Sequence, residues 1–113
     1  MPFIRYTTTK TLTLNQEKAI KETTGKLISI LPNKSEENLM IHIEDNQLMY
    51  FRGKDMDCMK IEVQLFHTID LSSKQKFVKE LCTEIENITR IPVSQQYLNI
   101  EEYENWGKNG ELV

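Results

Sequence analysis

The residue best placed to do chemistry is the second one. The chain opens Met1-Pro2-Phe3-Ile4. A proline whose preceding methionine is removed becomes a free secondary amine, a base held in direction by its own ring. The same residue can also simply open a strand, because proline has no N–H to give to a ladder. The other reactive side chains do not gather. Cys58 and Cys82 are the two cysteines, His42 and His67 the two histidines, and with the scattered acids they show no metal-ligand spacing. No metal and no cofactor is expected. The pairs Glu36-Glu37 and Glu101-Glu102 read as solvated rather than catalytic, and Cys82 falls on the apolar stripe of a helix.

The elements that must position Pro2 follow from periodicity. Residues 2–8 (PFIRYTT) are β-branched and aromatic, as a strand is. A helix follows, with Asn15 as candidate N-cap, Ala19, Ile20, Leu27, Ile28 and Leu31 at helical spacing, Gly25 as a weak point and Pro32 as its close. Residues 38–45 and 59–66 alternate apolar and polar side chains, which marks half-buried strands. A short extra strand is expected over 48–51, with a turn at Arg52-Gly53. A second helix is expected to be capped by Ser72 or Ser73, with Gln75 in capping-box position to Ser72, and to end before Ile91-Pro92. Residues 95–103 form a last strand, and the tail 104–113 is polar.

The order is therefore β-α-β twice, with the second unit offset by about 57 residues from the first. Such crossovers are right-handed and give parallel pairs. Two units side by side make a four-stranded sheet with both helices on one face. The other face, carrying Met40, His42, Lys60, Glu62 and Gln64, stays bare, and the edge strands stay open. Both point to an oligomer. Met59 holds the position in the second unit that Pro2 holds in the first, and an internal residue cannot be a terminal amine. One such amine is thus expected per chain.

Composition narrows the class. At 113 residues and a formal net charge of −3, a single domain over 1–113 is expected, without the basic footprint of a nucleic-acid binder. No apolar run reaches the roughly 18–20 residues of a membrane helix, and no secretory leader is visible. A cytoplasmic, reduced protein is the expectation.

Four stretches carry a resemblance: PFI at the start, DNQLMYFRG (45–53), IPVSQQYLNIEEY (91–103) and NWGKNG (105–110). Together they resemble the tautomerase superfamily, and within it the macrophage migration inhibitory factor family. The resemblance implies an α/β (α+β) fold with a mixed four-stranded sheet. It also implies a homotrimer with active sites between neighbouring subunits, and keto–enol tautomerisation of phenylpyruvate-like α-keto acids. Pro2 matches the catalytic acid–base. Lys34 matches a lysine that binds the substrate carboxylate, and Phe66 an aliphatic residue whose backbone contacts substrate. Tyr97 and Asn99 match residues supplied by the adjacent subunit, and alternation puts both on one strand face.

The chain departs from the family in four places. Cys58 lacks the second cysteine of a Cys-x-x-Cys, so thiol oxidoreductase chemistry is not implied. Leu65-Phe66-His67 replaces Ser-Ile-Gly, Asn33-Lys34-Ser35 replaces Gly-Lys-Pro, and Lys108 stands where many relatives carry an aromatic, with Trp106 nearby to replace it in part. The alternative reading is a non-catalytic trimeric binding or cytokine-mimic protein, secreted without a signal peptide like the family's animal members, and the sequence names no receptor for it.

Overall fold

A computed structural model describes residues 1–113. The first strand, β1 (Pro2–Thr8), and the third, β3 (Met59–Phe66), have the bounds that alternation gives them, each burying every second residue. Helix α1 (Leu14–Leu27) starts earlier than Asn15 would place it. Thr13 and Gln16 form a reciprocal capping box: the Gln16 N–H donates to Thr13 Oγ1 (3.1 Å) and the Thr13 N–H to Gln16 Oε1 (2.9 Å). Two otherwise orphaned donors are satisfied there, which a cap at Asn15 would not achieve. Helix α2 (Leu71–Thr89) is likewise capped ahead of the serines, by Asp70, whose carboxylate accepts from the Ser73 N–H at 2.9 Å. Arg90 closes α2 in the left-handed region (φ +67°), its N–H bonded to the Glu86 carbonyl.

The sheet runs β2-β1-β3-β4, with β2 (Met40–Glu44) and β4 (Gln96–Tyr103) at its edges. The outer pairs are parallel, and the central pair β1/β3 is antiparallel. Each β-α-β unit supplies one parallel pair, and the two units meet across the central ladder. Both helices cover one face. Ile4, Ile61, Val63 and Leu65 meet Phe77, Leu81 and Ile85 there, all fully buried. The phenol of Tyr6 is buried too, and it stays satisfied by bonding Thr24 Oγ1 at 2.6 Å, which in turn donates to the Ile20 carbonyl.

Paired residues share a face, so the bare side reads in rows. One row is Met40, Phe3, Gln64, Glu101; the next is His42, Arg5, Glu62, Asn99; the last is Glu44, Thr7, Lys60, Tyr97. Arg5 holds Glu62 through two hydrogen bonds, 2.8 and 3.1 Å.

Two segments differ from expectation. Residues 48–51 form no strand: only Phe51 makes an isolated bridge, to Lys54, around Arg52 and Gly53 with positive φ. Leu48 and Tyr50 are left 84% and 68% exposed. The tail, in contrast, is ordered as a hairpin. Strands β5 (Gly107–Lys108) and β6 (Glu111–Leu112) flank Asn109-Gly110, both at positive φ. Asn-Gly is the favoured dipeptide for such a two-residue turn. No helix is long and apolar enough to cross a membrane.

Candidate active site

The site begins where β1 begins. Pro2 pairs with Leu65 and is buried beneath Met1. Lys34 arrives from the connection after α1. A 3-10 turn (Ile28–Ile30) and buried Leu31 end the helix, and Asn33 takes a left-handed conformation (φ 63°) that asparagine tolerates well. The Lys34 N–H then donates back to the Leu31 carbonyl at 3.1 Å. That turn aims the Lys34 side chain at the end of β3, where its ammonium donates to the Phe66 carbonyl at 2.7 Å. As Phe66 follows the residue paired with Pro2, Lys34 stands beside the chain terminus rather than idling at a helix end.

The electrostatic consequence appears at the terminal amine. With Met1 in place that amine belongs to Met1, and its pKa falls from 8.0 to about 6. Partial burial is the largest cause, followed by the Lys34 charge and a hydrogen bond from Lys34, then the Lys108 charge. Burial disfavours the ammonium form, and neighbouring cations disfavour it again. The Met1 amine is therefore largely neutral at pH 7.

A cleft of about 400 Å³ opens around the terminus. Its walls include Pro2, Phe3, Met40, Gln64, Trp106 and Lys108. The tail hairpin supplies the last two: Trp106 packs edge-on against Tyr103, and the Lys108 ammonium donates to Asn38 Oδ1 at 3.1 Å. The Phe66 ring stacks on His67, centroids 3.6 Å apart, so its carbonyl rather than its ring faces Lys34. His67 holds φ +71°, a conformation natural to glycine, in place of the glycine that the resemblance would put there.

Pro2, Lys34 and Phe66 thus come together. Tyr97 and Asn99 do not join them within one chain. Tyr97 pairs with Lys60, five residues along β3 from the partner of Pro2 and one strand further out. At about 3.3 Å per residue and 4.8 Å per strand, Tyr97 and Pro2 are on the order of 20 Å apart. Tyr97 is 64% exposed and packs edge-on against Phe51. The Asn99 Oδ1 is shielded from solvent with no hydrogen-bond partner in the chain.

Phe3, Asn38, Met40 and Gln64 line the cleft and escaped the sequence reading of the site. Gln64 sits two positions before Phe66 on the same strand face, so alternation could have named it. Asn38 ends a single 3-10 turn (Glu36–Asn38) that leaves no periodic signal. Cys58 and Cys82 are free thiols, pushed up in pKa by burial, and no group of three or more His, Cys, Asp or Glu could hold a metal ion.

Comparison with solved structures places this architecture. The chain superposes on MIF2 of Leishmania major with a TM-score of 0.92 at 18% identity, covering 100% of this chain and 97% of that one. A macrophage migration inhibitory factor homologue from Prochlorococcus marinus gives 0.85 at 23% identity over 97% of both chains. Pt0534 inactivated by 2-oxo-3-pentynoate gives 0.83 at 13% identity, over 96% of this chain and 92% of that one. Neither a family model nor a curated protein matches the sequence. Similarity this close in shape and this distant in sequence establishes the fold: the chain has the fold of these macrophage migration inhibitory factor structures, two helices on a mixed four-stranded sheet.

Proposed function

We propose that the protein, once Met1 is removed, is a keto–enol tautomerase of phenylpyruvate-like 2-oxo acids with Pro2 as acid–base. The observation carrying this reading is the convergence at the terminus. Burial and Lys34 lower the pKa of the Met1 amine, the same surroundings meet the Pro2 amine once Met1 is gone, and a cleft of small-molecule size opens there. A fold neighbour inactivated by 2-oxo-3-pentynoate, itself a 2-oxo acid, supports the substrate class.

In the forward direction the neutral Pro2 nitrogen takes a proton from C3 of the keto acid. The C–H electron pair becomes the C2=C3 double bond and the carbonyl pair moves to oxygen. The Pro2 ammonium then delivers that same proton to the enolate oxygen, which regenerates the neutral amine with no net redox change. Lys34 holds the substrate carboxylate by a charge-assisted bond. General acid–base catalysis by a positioned group contributes about 10²–10⁴-fold. A base with pKa near the working pH suits a reaction that must both take and return a proton.

Tyr97 and Asn99 enter from the neighbouring subunit of a homotrimer. The distance within one chain excludes them from their own Pro2, the two edge strands are open, and the Asn99 oxygen waits for a partner. From that neighbour they donate to the carboxylate or the enol oxygen as charge builds there.

The test begins with mass spectrometry of the intact chain, to establish that Pro2 is the N-terminal residue. Enolisation of phenylpyruvate, followed by absorbance, should then fall at least about 100-fold in Pro2→Ala and Pro2→Gly. A processed wild type no faster than these variants would sink the enzyme reading and leave the trimeric binding protein. Sedimentation that finds a monomer would remove Tyr97 and Asn99 from the site.

A further inference from the structure

Two cations flank the chain terminus: Lys108 lines the cleft, and Lys34 stands beside it at the end of β3. Lys34 and Lys108 both act on the terminal amine, from different parts of the chain. Each is oriented by one neutral oxygen: Lys34 by the Phe66 carbonyl, Lys108 by Asn38 Oδ1. Neither lies within 4.0 Å of a carboxylate, since the ion pairs of the chain are Arg5–Glu62, His42–Glu44 and Lys74–Glu102. An ammonium carries three donors, so Lys108 keeps two after its contact with Asn38, and Lys34 keeps two after its contact with Phe66 once Met1, whose amine it also bonds, is removed.

Lys108 is also presented rather than trailing. It sits on β5, next to Trp106, in a hairpin closed at both ends. The Trp106 and Val113 backbones exchange hydrogen bonds at one end, and Asn109-Gly110 turns the chain at the other. An exposed lysine would ordinarily lose side-chain entropy on being fixed. Here Asn38 and the short hairpin have done part of that ordering in advance.

We infer that this cleft selects 2-oxo acids bearing a second carboxylate, with Lys34 taking one carboxylate and Lys108 the other. A singly charged aromatic acid leaves one ammonium unpaired next to its ring. A short 2-oxo dicarboxylic acid satisfies both, with its reactive C3 held between them and close to the amine. The inference narrows the substrate class of the tautomerase reading above and rests on it for turnover, though not for binding.

Two measurements on the processed full-length protein separate the two ideas. Binding is read with unreactive probes, glutarate as the dianion and 3-phenylpropionate as the aromatic monoanion, by NMR titration. Glutarate should bind at least about 5-fold more tightly, and Lys108→Met should abolish that preference while Lys108→Arg keeps it. Turnover is read as the ratio of kcat/KM for oxaloacetate to that for phenylpyruvate, which should fall about 10-fold in Lys108→Met, the size of one charge-assisted contact. Glutarate binding no tighter than 3-phenylpropionate, or a preference that survives Lys108→Met, overturns the inference. If the binding preference follows Lys108 and neither keto acid is enolised, the tautomerase reading fails and the dianion site stands. If Pro2-dependent enolisation of phenylpyruvate is found without any dependence on Lys108, the reverse holds.

Discussion

The half built from β1, α1 and β2 begins at an amine in an open cleft. The half built from β3, α2 and β4 begins at Met59, 2% exposed and laddered on both sides to Thr8 and Gln96. The strands, the crossover and the helix side are shared, yet only the first half opens on a proline beside the terminal amine. The connections after the helices differ in the same sense. After α1 the chain turns through Asn33 and sends Lys34 to the terminus, whereas after α2 Arg90 closes the helix and buried Ile91 follows. The candidate site belongs to a chain end and one turn, laid on a scaffold that the other half uses for packing.

The scaffold side of that comparison predicts the largest effect. Ile4 and Ile61 occupy equivalent places in the two halves, and both are fully buried. Ile4→Ala and Ile61→Ala should each cost about 2–5 kcal/mol in denaturant unfolding at one fixed protein concentration. A much smaller loss for Ile4 would mean that the half carrying the site is the looser one.

The terminus predicts the next effect, which the second half has no means to show. With Met1 retained, the folded amine titrates at about 6, against 8.0 for the ordinary group. Between those values the unfolded chain binds the proton that the folded chain has released, so stability rises as pH climbs from about 6 to 8. It gains nothing further above that window, and below it both states are protonated. Lys34→Met should move the amine's NMR titration back toward its ordinary value. An amine titrating near 8 in the unmutated protein would break the contrast between the halves.

The smallest effect separates the helices. Gly25 interrupts α1, and α2 has no glycine. Replacing a helical glycine by alanine ordinarily gains about 0.5–1 kcal/mol. Here a Cβ at Gly25 would run into the Glu36 carboxylate. Gly25→Ala alone should therefore gain less than that, with the remainder recovered when Glu36→Ala is added, read as a double-mutant cycle in thermal melts.

Much of the scaffold was legible because burial on one face forces alternation. The ranges 2–8 and 59–66 could be read to the residue for that reason. The helix starts were not, since Thr13 and Asp70 win their caps by local hydrogen bonds that compete with equally plausible neighbours. Residues 48–51 have the composition of a strand but no partner in the chain, and a strand is defined by its ladder. The tail hairpin was written in Asn109-Gly110 and passed over as polar tail. Within the site, Pro2 and Lys34 stood out, Pro2 for its type and position and both through the resemblance. That Lys34 would reach Phe66 depended on a left-handed asparagine, which no periodicity reveals.

Arg5 and Glu62 are 57 positions apart, the offset that relates the halves, and they also lie directly across the central ladder from each other. An internal two-fold axis therefore passes between them. At such an axis a chain with identical halves must set every residue against its own copy, arginine on arginine or glutamate on glutamate, and like charges directly opposite are destabilising. The forked contact seen here, which also holds the Glu62 carboxyl below its usual range, is open only to halves that have diverged. Placed on the axis, the ion pair works as a polarity label. It favours joining one half to the other over joining either half to itself.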